Sequence, residues 1–161
     1  MTKPNAVIAM GNSLLCDDSA ALIALRLLEE ISQSLHTDFV ENYSSGMDLL
    51  PELVGRKHVI LMDAVRTFEN EPGSCLEFSL QDLQPTRQAR LIDTHGLNLA
   101  TVWETGLRFG FSMPQTLTIL GIEGRDFTSF QEHPHENVMN QLPHIVNRVE
   151  QTILEWEREH D

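Results

Sequence analysis

Cationic side chains are scarce in this chain. Its 161 residues hold 11 Lys and Arg against 24 Asp and Glu, a formal charge of −13. So acidic a surface repels phosphate backbones and anionic headgroups, which excludes nucleic acid and membranes as expected partners. Cysteine is nearly missing: Cys16 and Cys75 stand far apart, outside any C-x-x-C spacing, and are expected as reduced thiols. No apolar run approaches the ~20 residues of a membrane span. The first run, residues 6–10, is too short for a signal peptide and has no cleavage-like tail, so the expected address is cytoplasmic. Internal repeats, low-complexity tracts and Ser/Gly linkers are absent, as are the phosphate-binding G-x-x-x-x-G-K-[ST] and G-x-G-x-x-G patterns and the G-x-S-x-G elbow of a hydrolase.

What is present is a chain of 41% apolar residues spread along its length. One domain over residues 1–161 is expected, since roughly 100–200 residues per domain is usual. Such a chain buries about 70% of its unfolded surface without a disulfide or metal staple. Short continuous apolar runs at 6–10, 58–62 and 115–122 predict buried strands, with a further short strand at 38–41. The stretch 75–80, which alternates, predicts a strand with one wetter face, near a sheet edge. Apolar residues at helical spacing predict helices at 19–34, 47–54, 97–109 and 137–159, the first capped by Asp17, Asp18 or Ser19. Alternating strands and helices predict a three-layer α/β/α fold around a mostly parallel sheet of about five strands. Ligands of such sheets bind beyond the carboxyl ends of the strands, at a topological switch point.

That rule singles out residues just after Met10, Met62 and Ile122. Asp17 and Asp18 follow the first strand; they cap the next helix, or one caps it while the other points into the crevice as ligand or base. Asp63 closes the run Val59-Ile60-Leu61-Met62, at the mouth of the crevice or bonded to loop backbone. His95, in Asp93-Thr94-His95-Gly96-Leu97, stands where a loop enters a helix, and Asp93 is placed to orient its ring. Two carboxylates and an imidazole from three loop ends make an N/O site for a borderline divalent metal such as zinc or nickel. Cys16 is a candidate nucleophile without a basic sequence neighbour to lower its pKa. His133-Pro134-His135 reads as an exposed loop, a weak site.

Four ordered pieces carry a resemblance. They are Gly11-Asn12 with Leu14-Leu15-Cys16-Asp17-Asp18, Ser45-Gly46-Met47-Asp48-Leu49-Leu50, Ile60-Leu61-Met62-Asp63-Ala64 and Thr94-His95-Gly96-Leu97, followed by Leu120-Gly121-Ile122-Glu123. Together they resemble the hydrogenase maturation endopeptidases, which remove a C-terminal extension from the large subunit of nickel–iron hydrogenases. The resemblance implies a nickel-dependent endopeptidase in which Asp18, Asp63 and His95 are the metal-binding and catalytic residues. It implies that Gly46 borders the cleft and helps receive substrate, and that the partner is a large-subunit precursor. It implies, too, that the nickel is supplied by that precursor, with another divalent metal as an expected substitute in vitro. The chain departs from the family pattern at the first helix, where Ser19-Ala20-Ala21 replaces a glycine-containing start. It also has Glu41-Asn42-Tyr43 in place of Asp-Gly-Gly, and Gly124 in place of a frequent proline. Two other readings stand beside this one: a diverged, non-catalytic module that binds a precursor or chaperone, and a stand-alone metal hydrolase holding its own zinc.

Overall fold

The computed structural model describes residues 1–44, 46–83 and 96–160. Five strands form one sheet: β1 (Asn5–Met10), β2 (Thr37–Asn42), β3 (His58–Val65), β4 (Cys75–Phe78) and β5 (Thr116–Glu123). Their order is β2-β1-β3-β5-β4. β1 runs parallel to β2 and β3, and β3 parallel to β5, whereas β4 is antiparallel to β5. Pairing only with β5, β4 is the edge strand that its alternation predicts. Among the described residues, five α-helices complete the layers: α1 (Ala20–Ile31), α2 (Leu50–Leu53), α3 (Gly96–Arg108), α4 (Glu136–Met139) and α5 (Leu142–Arg158). The mostly parallel α/β fold is therefore the one the sequence predicts. Among the described residues, no helix is long and apolar enough to cross a membrane.

The strand period of 2 sorts side chains onto two faces. Val7, Ala9, Ile60, Met62, Leu120 and Ile122 pack with α1 and α5. Ala6, Ile8, Met10, Val59, Leu61 and Val65 pack with α2 and α3. Asp63 shares the second face by the same alternation. Strands buried on both faces account for the near-continuous apolar runs of β1 and β3.

Three details differ from the sequence expectations. β3 does not stop before Asp63; it continues to Val65, because β5 keeps pairing with it through Asp63–Gly121, Ala64–Ile122 and Val65–Glu123. The last helix is two, and Pro143 in the first turn of α5 is the reason. Proline has no N–H for the carbonyl four residues back, but is well suited to a helix start. The first helix begins at Ala20 and is preceded by a separate 3-10 turn, Cys16–Ser19.

The far end of α5 is clasped to the chain between α1 and β2. Glu157 accepts hydrogen bonds from the Ser34 hydroxyl and from His36 N (3.2 Å), and its Oε2 lies 2.9 Å from His36 Nδ1. Partial burial pushes its pKa up, but the Ser34 and His36 contacts outweigh burial and hold it at about 2, below the ordinary 4.5. A carboxyl depressed in the folded state contributes stability that is full above the unfolded pKa and is lost as pH falls through the folded one. Glu157→Gln is accordingly expected to lower stability at pH 7 by about 1 kcal/mol. It should also flatten the loss of stability between pH 4.5 and about 2. Urea titrations across that range check this, and parallel pH profiles for both proteins count against the clasp.

Candidate active site

In the order β2-β1-β3, the chain leaves β1 toward β2 on one side and later returns to β3 on the other, so the switch point lies between β1 and β3. β1 ends at Met10 and passes into Gly11, whose φ is +150°. A Cβ at Gly11 would stand 2.1 Å from the Asp18 carbonyl oxygen, so only glycine lets the Cys16–Ser19 turn fold back onto the strand end. The turn is closed by Asp18 N donating to Leu15 O at 2.9 Å, and it packs against β3. In β3, Asp63 stands one residue beyond Met62, the partner of Ala9. Asp18 and Asp63 are thus buried on neighbouring elements, 9% and 5% exposed. Opposite Asp63, Gly121 leaves no space for a side chain, since a Cβ there would lie 2.7 Å from Phe78 and 2.9 Å from Val65.

The adjacent acids differ in duty. Ser19 stands at the N-cap of α1 without a side-chain capping bond, its Oγ turning back to donate to Cys16 O at 2.7 Å. Asp17 reaches across to the segment after β5. Its Oδ2 accepts from Arg125 N (2.8 Å) and Asp126 N (3.0 Å), and its Oδ1 accepts from His135 N (2.9 Å). Its own N–H donates to Asp126 O at 2.9 Å. Gly124 permits this approach, because a Cβ there would meet the Asp17 Cβ at 2.8 Å. At the end of β5 itself, fully buried Glu123 accepts from Thr67 N (2.8 Å), from the Thr67 hydroxyl and from Arg125 Nη1 (3.1 Å). Asp17 and Glu123 therefore fasten loops at the carboxyl edge of the sheet.

The other candidates sort as follows. His95, with Asp93, lies outside the described residues; α3 begins at the next residue, Gly96. Gly46 lies in the loop between β2 and α2, donates its N–H to Ser44 Oγ (3.2 Å) and accepts from Leu49 N (3.2 Å). Its φ of −94° is open to any residue. Cys16 is not an activated nucleophile: burial raises its thiol pKa, and the Asp17 and Asp126 carboxylates raise it further. At the departures Ser19 and Ala21 the backbone is right-handed, Ser19 with φ −82° and Ala21 inside α1, so the missing glycines leave no strain. His135, from the loop that read as a weak site, is carried beside Cys16 together with Asp126, which the sequence did not single out. Asp126 sits in a short turn where Oδ1 accepts from Thr128 N and Ser129 N, a local pattern that conceals its long-range neighbours.

Replacing Asp17 with Ala strips three buried or half-buried amides of their acceptor, each worth about 1 kcal/mol or more when left unpaired. A loss of about 3 kcal/mol in urea unfolding is expected; a change below about 0.5 kcal/mol, the usual scale of surface substitutions, counts against this role.

A sequence model of hydrogenase maturation proteases matches residues 23–152. The hydrogenase 2 maturation protease of Escherichia coli strain K12 is 30% identical over 120 residues, 72% of this chain and 70% of that protein. The hydrogenase-maturating endopeptidase HybD of E. coli superposes with a TM-score of 0.81 at 22% identity, over 96% of this chain and 93% of that one. An endopeptidase from E. coli solved in solution gives 0.75 at 24% identity, over 92% and 90%. With the profile covering most of its length and a curated relative at this identity, the chain belongs to the hydrogenase maturation protease family.

Proposed function

We propose that this protein removes the C-terminal extension of a nickel-loaded large-subunit precursor of a nickel–iron hydrogenase, with Asp18, Asp63 and His95 holding the precursor's nickel. The observation that carries this reading is the pair of buried carboxylates on neighbouring elements at the β1–β3 switch point. The start of α3 immediately after His95, on the face that Asp63 shares, supports the third ligand. Two carboxylates and an imidazole suit a borderline divalent ion, and the nickel comes with the substrate. A divalent metal polarises a peptide carbonyl and acidifies a bound water. The chain's own part is to hold the adjoining peptide bond in register, with Asp18 or Asp63 taking a proton from the attacking water as general base. Gly46 lines the approach for the substrate peptide. A metal borrowed from the substrate prevents cleavage before nickel insertion is complete.

The acidic surface and the lack of a long apolar helix among the described residues suit a protein acting in the cytoplasm on a folded partner. Both cores lie against the same sheet, which supports residues 1–161 working as one domain.

Incubation with nickel-loaded precursor, read by mobility on a denaturing gel, tests the reading. The wild-type chain is expected to shorten the precursor, and nickel-free precursor to remain intact. Asp63→Asn should slow processing by ~10²-fold or more while its urea midpoint stays close to wild type. Full processing by that variant removes Asp63 from the mechanism, and binding without any cleavage by the wild type favours a docking module.

A further inference from the structure

A second cluster of donor atoms forms where the Cys16–Ser19 turn meets the segment after β5. The Cys16 Sγ, a carboxylate oxygen of Asp126 and a ring nitrogen of His135 all lie within 4.8 Å of one another. His135 Nε2 is 3.5 Å from Asp126 Oδ2. The three residues are remote along the chain, and each is fixed to the same buried carboxylate. Asp17 Oδ1 accepts from His135 N at 2.9 Å and lies 3.8 Å from the Cys16 thiol, and Oδ2 accepts from Asp126 N at 3.0 Å. Cys16 is further pinned by its N–H to Gln131 O, at 2.8 Å. Asp126 commits Oδ1 to Thr128 N and Ser129 N, which turns Oδ2 toward the imidazole.

We propose that Cys16, Asp126 and His135 bind a borderline divalent cation, zinc being the best fit, separately from the Asp18–Asp63 pair. One sulfur, one nitrogen and one oxygen donor suit zinc, whereas magnesium and calcium take oxygen ligands. Bond lengths of about 2.0–2.3 Å place tetrahedral donors roughly 3.5 Å apart, the separation already present between His135 and Asp126. The thiol closes the remaining gap with the half-exposed His135 ring, which has room to move; its side chain is 52% exposed. Binding releases one proton from the Cys16 thiol to solvent and leaves a thiolate on the ion. A fourth position stays open for water. Asp17, hydrogen-bonded to the backbone of Asp126 and His135, orients those two ligands from behind, and its contact with the Cys16 S–H is given up together with the thiol proton. The ion would clip the turn that carries Asp18 to the loop after β5.

Cobalt(II) titration of the full chain tests this without any precursor, so its failure leaves the proposed protease reading standing, and the converse. One equivalent of cobalt should give a thiolate-to-metal charge-transfer band, displaced by zinc. Cys16→Ser is expected to abolish the band. His135→Ala, at an exposed ring that folding does not require, should weaken cobalt binding at least about tenfold. Asp63→Asn should leave both band and affinity unchanged. Cobalt binding without a thiolate band, a band that survives Cys16→Ser, affinity indifferent to His135→Ala, or binding lost in Asp63→Asn each overturns the proposal.

Discussion

The carboxylate of Asp17 is 1% exposed and accepts hydrogen bonds from three backbone amides of the segment after β5. Burying a charge is costly unless it is well paired, and three N–H donors provide that compensation without a counter-ion. The consequence is topological. The loop that leaves β1 and the loop that leaves β5 belong to strands separated in the sheet by β3, yet one side chain joins them above the sheet edge. Gly11 and Gly124 make the join possible, the first by admitting the Asp18 carbonyl and the second by admitting Asp17. Glu123 repeats the device between the end of β5 and the chain leaving β3. The carboxyl edge is therefore braced by buried acids whose partners are backbone amides, the Thr67 hydroxyl, the Cys16 thiol and one arginine.

That bracing determines what an adjacent acid can do. Asp17 and Asp18 share a 3-10 turn of four residues. Once Asp17 is committed to the loop after β5, the turn has fixed orientation, and the position of Asp18 follows from it and from the Gly11 contact. Preorganisation of this kind holds a functional side chain in place without loop ordering at the moment of binding. The same commitment brings Cys16 against Asp126 and His135, so one carboxylate governs the placement of groups on both sides of itself.

The fold was legible because its signals are local. Apolar runs marked β1, β3 and β5, helical spacing marked α1 and α3, and alternation marked β4 as an edge. The end of β3 was not legible, since Asp63 looks like a strand terminus until β5 is seen to pair beyond it. The division of labour between Asp17 and Asp18 was equally hidden. Both suit a helix start by their chemistry, but the partners of Asp17 lie more than a hundred residues away. Asp126 was missed for the converse reason: its short-range turn bonds are the ordinary use of an aspartate in a loop.

The departures at the start of α1 bear on how far the chain has drifted from its family. Glycine is required only where the backbone goes left-handed or a Cβ would collide. Ser19 and Ala21 do neither; Ser19 is right-handed, Ala21 is an ordinary residue of α1, and both are small and buried. Around the site, glycine is required on steric grounds at Gly11, Gly121 and Gly124 instead. The residues standing where the family pattern has glycine therefore occupy places that admit a side chain, and the close approach at Gly11 that seats the Cys16–Ser19 turn does not depend on them.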